Sequence, residues 1–346
     1  KDGQVEIIGM TSNGYLVAYD HTGGTPIWTK EMPNTVAIRS TPALYDLDGD
    51  GDVEILMGKH VFHANGELWW EGEGDSSGGG TSCSCMQIRG ASRPNTDMIS
   101  FAMDFLSFWP GQEVIVGDQV YSAKGKLIWT AEGAGDGFSA MGDLDGDGDA
   151  ELVVVNLQAQ TVSVVDRNGK LVWSHNFKES AGGPPTLADI NGDGFLEIGF
   201  VGKRFYYAYS HAGELLWKTP IQDNSSGITG STVFDFEGDG RADIVYFDEE
   251  FLRVFDENGE AKFKIANNSG TWIEYPVIAD LDKDGHADIL IPSSDSNAVN
   301  GGNNLTKGVS AFQDRYNSWP ATRSVWNQHA YHIDNVNDDG TIPRIP

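Results

Sequence analysis

Short runs of β-branched and aromatic residues recur along the chain, each set off by Asp, Asn or Gly. Residues 41–45 (TPALY), 54–58 (EILMG), 151–155 (ELVVV), 197–201 (EIGFV), 243–247 (DIVYF) and 288–292 (DILIP) read as strands. Residues 161–166 (TVSVVD) and 206–210 (YYAYS) add alternating patterns, the mark of strands with two unlike faces. No amphipathic helix flanks any of them. An aromatic side chain then follows a glycine at a fixed distance: Gly24 leads to Trp28, Gly66 to Trp70, Gly125 to Trp129, Gly169 to Trp173, Gly213 to Trp217 and Gly259 to Phe263. The pairs Asn65-Gly66, Asn168-Gly169 and Asn258-Gly259 predict hairpin turns with positive φ. The repeating unit is strand, loop, strand, hairpin, strand, Gly turn, strand ending in an aromatic residue. That is one four-stranded antiparallel sheet.

The loop between the first two strands carries the chemistry. Residues 46–54 read DLDGDGDVE, 143–151 DLDGDGDAE, 189–197 DINGDGFLE, 235–243 DFEGDGRAD and 280–288 DLDKDGHAD. Each has an oxygen-bearing side chain at positions one, three, five and nine and Gly at six, the ligand spacing of a calcium loop. Gly at six permits the left-handed backbone of the sharp turn. An EF-hand would set the loop between helices; here strands flank it.

The loops that begin at Asp143, Asp189, Asp235 and Asp280 are spaced by 46, 46 and 45 residues. Four strands at that period predict propeller blades. A degenerate copy at 104–113 keeps Asp104 and Glu113 but has Leu106 and Phe108 at ligand positions, which predicts a metal-free blade. Counting Trp28, Trp70, Trp129, Trp173, Trp217, Phe263 and Trp319 gives seven blades. The predicted fold is an all-β, seven-bladed β-propeller of four-stranded antiparallel blades. The repeats consume nearly the whole of residues 1–346, which predicts one domain.

The first residues resemble the second half of a loop, with Glu6 at the last ligand position, so blade one is expected to lack its first strand. Residues 324–333 are expected to supply it, because a propeller must close its ring to leave no open edge. Residues 335–340 (NVNDDG) then imitate the first half of a loop. Residues 334–346 either pair with the first half-site or lead out to a further domain, and the chain is expected to be part of something larger.

The formal charge is −28 and the sequence pI near 4.4. Much of the acidity sits in the loops, yet the balance still argues against nucleic-acid partners, which need a basic face. No apolar run is long enough to span a bilayer, so no membrane insertion is expected. Calcium sites of extracellular modules work at about 10⁻⁴–10⁻³ M, which favours a secreted or cell-surface location. Cys83 and Cys85 form a lone C-x-C; a local disulfide fits an oxidising compartment, and free thiols or a metal site are the alternatives.

These motifs resemble the FG-GAP/VCBS repeat family, which includes the head propeller of integrin α-subunits and many large secreted bacterial proteins. The resemblance covers most of the chain and is closer to the bacterial branch, since the Phe-Gly and Gly-Ala-Pro sequences are mostly absent. It implies a seven-bladed propeller in which about five Ca²⁺ ions rigidify blade edges and the opposite face binds partners, commonly in adhesion. The implied ligands are Asp46, Asp48, Asp50 and Glu54; Asp143, Asp145, Asp147 and Glu151; Asp189, Asn191, Asp193 and Glu197; Asp235, Glu237, Asp239 and Asp243; and Asp280, Asp282, Asp284 and Asp288. Position seven (Asp52, Asp149, Phe195, Arg241 and His286) would contribute its backbone carbonyl, so its side chain is free to vary. Glu237 departs from the usual Asp or Asn, which predicts a weaker site. Residues 18–28 also resemble the tryptophan-docking motif of quinoprotein dehydrogenases; with seven blades and Ser84 between the cysteines, locking of blade to blade is the reading taken.

In a four-stranded antiparallel blade the first and third connections share one face. Calcium loops are first connections, so insertions at 72–97 and 293–307 are expected on the other face. Their Arg89, Arg93, Asp295, Asn300 and Asn303 are candidates for binding a glycan or a protein. The expected function is an extracellular calcium-binding adhesion or ligand-binding module. Two alternatives stand beside it: a polysaccharide lyase, with Lys203, Arg204 and Tyr206 as its candidate residues, and a structural subunit of a large surface protein. His329 and His332 are expected on opposite faces of a strand, and no catalytic set stands out.

Overall fold

The structure, a computed structural model, describes residues 5–33, 40–73, 99–294 and 307–344. Cys83, Cys85, Arg89, Arg93, Asp295, Asn300 and Asn303 lie outside the described residues. Among the described residues every regular element is a strand.

The chain is all-β: seven antiparallel sheets of three or four strands follow one another in sequence, the architecture of a seven-bladed β-propeller. The first sheet holds β1 (Glu6–Met10), β2 (Tyr15–Asp20) and β3 (Pro26–Glu31). The second holds β4 (Ala43–Tyr45), β5 (Glu54–Met57), β6 (His60–His63) and β7 (Leu68–Glu71). The third holds β8 (Phe101–Met103), β9 (Glu113–Val116), β10 (Gln119–Tyr121) and β11 (Leu127–Thr130). The fourth holds β12 (Phe138–Gly142), β13 (Glu151–Asn156), β14 (Thr161–Val165) and β15 (Leu171–Asn176). The fifth holds β16 (Thr186–Ala188), β17 (Glu197–Val201), β18 (Phe205–Tyr209) and β19 (Leu215–Pro220). The sixth holds β20 (Thr232–Phe234), β21 (Asp243–Phe247), β22 (Phe251–Phe255) and β23 (Ala261–Ala266), and the seventh β24 (Val277–Ala279), β25 (Asp288–Ser293) and β26 (Gly308–Gln313). Packing divides the chain into two compact units, 1–139 with 167–170 and 327–346, and 140–166 with 171–326.

Second strands are continuous apolar runs because both of their faces are covered: β5, β9, β17 and β21 are buried throughout. Fourth strands alternate, as in β19 and β23, with one face left to solvent. The core of the first unit gathers Tyr45, Leu47, Leu56, Val114 and Tyr121; that of the second is built around Val153, Phe200, Ile244 and Ile289.

The turn glycines hold the positive φ expected of them, whereas the expected closing strand needs correction. Gly66, Gly125, Gly169, Gly213 and Gly259 have φ of +75 to +79° or +86°, and the Asn before Gly66, Gly169 or Gly259 does not share it. A one-residue register shift lies beside each turn, as at Val164/Val165 and Ala208/Tyr209, which is the longer hairpin with a glycine bulge. In the first sheet Gly23, not Gly24, takes the left-handed position.

Residues 324–333 form no strand, and the first and seventh sheets have three strands each. Within the first unit, residues 327–335 dock on β4 instead: the Leu44 N–H donates to Gln328 Oε1 at 2.8 Å, and buried Asn335 donates to Tyr45 Oη at 3.2 Å. After β26 the chain turns at Asp314 and runs against the seventh loop, where Asp280 N–H donates to Arg323 O and Ala287 N–H to Pro320 O. Its backbone groups are thus used on the loop rather than on a fourth strand. Trp319 follows this turn, stacking on Phe263 with ring centroids 6.0 Å apart.

Each docking tryptophan lies on the glycine of the following sheet's turn. A Cβ on Gly66 would stand 2.7 Å from the Trp28 ring, on Gly125 2.6 Å from Trp70, on Gly169 2.7 Å from Trp129, and on Gly259 2.5 Å from Trp217. Only glycine permits both the positive φ and this approach. Trp70 Nε1 donates to Ala123 O and Trp173 Nε1 to His211 O, fixing the ring plane. The tryptophans therefore serve packing between sheets, as the sequence predicts.

Candidate metal centres

The acidic loops share one hydrogen-bonded frame. The last acid of each loop opens the second strand and lies opposite the end of the first, as in Tyr45↔Glu54, Ala188↔Glu197, Phe234↔Asp243 and Ala279↔Asp288. That register aims its carboxylate back under the loop. One oxygen accepts the N–H of loop position two: Leu47 to Glu54 Oε2 at 2.9 Å, Leu144 to Glu151 Oε2 at 2.9 Å, Ile190 to Glu197 Oε2 at 2.9 Å and Leu281 to Asp288 Oδ2 at 2.7 Å. The first acid accepts the N–H of the glycine at six, from Gly51 to Asp46, Gly148 to Asp143, Gly194 to Asp189, Gly240 to Asp235 and Gly285 to Asp280. The fifth-position acid accepts the N–H of position seven, so Asp52, Asp149, Phe195, Arg241 and His286 are each held by their amide while their side chains vary.

Glycine at six has φ between +87 and +92° in all five loops. Sequence reasoning missed a second left-handed position. Gly49, Gly146, Gly192 and Gly238 at position four have φ of +68 to +80°, and Lys283 takes the same conformation at +64°. The signal was visible as D-x-x-G-D-G in four of the loops.

The frame gathers carboxylates in three loops. Asp46, Asp48 and Asp50, then Asp143, Asp145 and Glu151, then Asp280, Asp282 and Asp288 each bring ligand oxygens within 4.8 Å of one another. Asp46 is buried and its Oδ1 has no hydrogen-bond partner. A buried, unpaired carboxylate oxygen is costly, and a cation placed among Asp46, Asp48 and Asp50 would satisfy it. Burial, with the carboxylates of Asp48, Asp50 and Asp46 adding, pushes Glu54 up to about 7 against the pull of the Leu47 N–H. Glu151 is likewise pushed up to about 7, chiefly by burial, and burial raises Asp46 and Glu197. A divalent ion reverses that electrostatic logic by favouring the ionised form. These residues fit a hard cation.

The other two loops differ. Asn191 turns its amide nitrogen to Glu197 Oε1 at 3.0 Å and to Asp193 Oδ2 at 3.1 Å, so its Oδ1 faces the Asp193 N–H. In the loop of the sixth sheet, Lys262 Nζ binds Glu237 and lies 2.7 Å from Asp243 Oδ1, and Arg241 holds Asp239. Among the described residues, neither loop assembles a group of three carboxylates like the first three. The degenerate loop keeps the frame without the charge: Phe105 and Leu106 donate to Glu113 Oε2, and Leu106 is buried where an acid would stand.

Side chains outside the motif also reach the loops. Gln313 donates to Asp282 Oδ2, Asn317 to Asp284 Oδ2, and His286 Nδ1 meets Trp319 O at 2.8 Å. Arg344 lies over Gly51 and its Nη2 is 3.4 Å from Asp50 O. None of these was legible from loop spacing.

The candidate lyase residues do not form a site. Tyr206 is fully buried and its hydroxyl meets Ser231 Oγ at 2.7 Å, while Arg204 pairs with Glu179 at 3.2 Å. Burial raises the Tyr206 phenol, which opposes a role as base. His329 falls in a turn and His332 in an irregular stretch, neither on a strand, and the His332 ring lies 6.5 Å from Tyr45.

Among the described residues no helix is long and apolar enough to cross a membrane. No curated protein matches the chain in sequence. The family model described as "FG-GAP-like repeat" matches residues 120–200 and 235–291. The chain is similar in fold to the V. cholerae biofilm matrix protein Bap1, with TM-score 0.76 and 18% identity over 99% of this chain and 80% of that one. It is similar to BamB from Moraxella catarrhalis with TM-score 0.52 and 15% identity, covering 90% of this chain and 82% of that one. It also matches the Bacillus licheniformis rhamnogalacturonan lyase PL11 with TM-score 0.52 and 16% identity, over 82% of this chain but only 50% of the lyase. With the repeated acidic loops and the seven sheets, the chain carries FG-GAP-like repeats at residues 120–200 and 235–291 on a β-propeller fold.

Proposed function

We propose that this chain is a calcium-binding propeller that works outside the cell as an adhesion or ligand-binding module. The observation that carries the calcium reading is Asp46 Oδ1, buried and unpartnered beside Asp48 and Asp50. Calcium in the loops at 46–54, 143–151 and 280–288, where the carboxylates converge, would clamp the first two strands of those blades. Calcium then acts as a staple for the rim, and the connections at the other end of each blade are left for a partner. The candidate partner residues remain Arg89, Arg93, Asp295, Asn300 and Asn303, whose amides, carboxylate and guanidinium groups suit sugar hydroxyls or a polar protein surface. Sites of this kind fill at the calcium levels of extracellular fluid, which supports a secreted or surface location. A fold shared with a biofilm matrix protein is in keeping with adhesion.

The metal reading is tested by Asp145→Ala. Melting is expected to fall by several degrees in calcium buffer and to stay unchanged in EDTA, since a ligand lost matters only when the ion is present. Equal drops in both buffers would remove the metal role of Asp145. The binding reading is tested on a glycan array with and without EDTA, where calcium-dependent capture is expected. Calcium-driven self-association with no captured ligand would replace it with an assembly role.

A further inference from the structure

The sixth sheet departs from the other calcium-type sheets at three positions, and the three departures meet in space. Loop position three is Glu237, where the other loops have Asp or Asn. Position seven is Arg241. The residue before the docking aromatic is Lys262, where the first five sheets have Ile27, Trp69, Ile128, Val172 and Leu216. Lys262 on β23 sends its ammonium into the loop, onto Glu237 Oε2 and onto Asp243 Oδ1 at 2.7 Å. Arg241 binds Asp239 Oδ2 through Nε at 3.1 Å and Nη2 at 2.6 Å, and its Nη1 lies 3.5 Å from Glu257.

We infer that the loop at 235–243 is held by the protein's own cations and takes no calcium: Lys262 and Arg241 together supply the two positive charges that a Ca²⁺ would bring. Asp243 keeps the loop frame through Phe236 N–H at 3.4 Å, but its other oxygen is committed to the ammonium. Glu237 is one methylene longer than Asp, which carries its carboxylate out to the lysine. Asp235 accepts N–H groups from Gly238, Asp239 and Gly240. Each of the four acids therefore has a partner within the chain, whereas Asp46 in the second sheet keeps a buried oxygen without one. The consequence is a blade whose edge stays closed at any calcium level, a fixed segment among blades whose loops loosen when calcium is withdrawn.

This inference rests on the calcium reading of the other loops, and the two fail differently. Hydrogen exchange of the unsubstituted protein, with and without EDTA, reads each loop separately. Peptides over 46–57 and 143–155 are expected to exchange faster after EDTA, and peptides over 235–247 to be unchanged. Faster exchange over 235–247 as well would overturn the inference and leave the calcium reading intact. No change in any loop, with no calcium in the purified protein by elemental analysis, would overturn both. In the second arm, the double variant Lys262→Met, Arg241→Asp gives the loop an apolar flank and the position-seven Asp of the loops at 46–54 and 143–151. It is expected to bind one more calcium per chain than the parent by elemental analysis and to gain EDTA sensitivity over 235–247. A folded variant with the parent's calcium content, and a calcium-lined 235–243 loop in crystals of the parent, would overturn the inference.

Discussion

Lys283 shows how tightly the loop constrains single residues. It holds a left-handed backbone at φ +64°, where the corresponding residues of the other loops are glycines. A side chain in that region costs roughly 1 kcal/mol, so Lys283→Gly is expected to stabilise the protein by about that amount in urea denaturation. Glu113 shows the cost of the frame when no ion is expected. Its Oε2 accepts two N–H groups, its Oε1 is buried without a partner, and burial pushes it from 4.5 up to about 7. The folded protein then keeps a proton that the unfolded chain has already released. The resulting stability is fully present below pH 4.5, is lost as the pH rises to about 7, and is constant above. In EDTA, Glu113→Gln is expected to reduce the loss of stability between those limits by on the order of 2 kcal/mol, and an unchanged pH profile would refute a protonated Glu113.

The element that sets the blade is the pairing of a docking ring with a bare glycine. Gly259 has φ +75° and leaves 2.5 Å between an added Cβ and the Trp217 ring. Gly259→Ala combines a left-handed alanine with overpacking and is expected to cost about 3 kcal/mol by denaturant titration. Trp217→Ala should relieve most of the added cost in a double-mutant cycle, because the clash is with that ring. The Gly-to-aromatic spacing was legible in the sequence, since both members lie on every hairpin. Which ring meets which glycine was not: the partner belongs to the next repeat. The loops are also linked along each unit, with Gln112 N–H donating to Leu47 O, Leu196 N–H to Leu144 O and Ala242 N–H to Asp189 O. Those bonds depend on how consecutive sheets stack, which loop spacing does not encode.

At the scale of the molecule the dominant fact is a charge of −28 on 346 residues. Carboxylates gathered at the loops repel one another unless a cation or salt offsets them. Calcium removal is expected to lower the melting temperature by roughly ten degrees or more, in line with the loss of several bound ions. Sodium chloride should then raise the melting temperature of the EDTA-treated protein more than that of the calcium form, because screening acts on charges left unpaired. A salt-independent EDTA form would argue that the loops are already neutralised within the chain.

The repeat of strand patterns and acidic loops determined the all-β class, the number of sheets, the position of every loop and the frame around its first, fifth and ninth residues. These are local properties, fixed by alternation, by glycine and by side chains that bond their own backbone a few residues away. Tertiary structure decided what local pattern cannot: that Lys262 enters the loop at 235–243 from another strand of its sheet, that Gln328 and Asn335 bond to β4 while 324–333 makes no strand, and that Asp46 keeps an unpaired oxygen. Each depends on groups far apart in sequence competing for the same polar atoms, and that competition is resolved only when the sheets are packed.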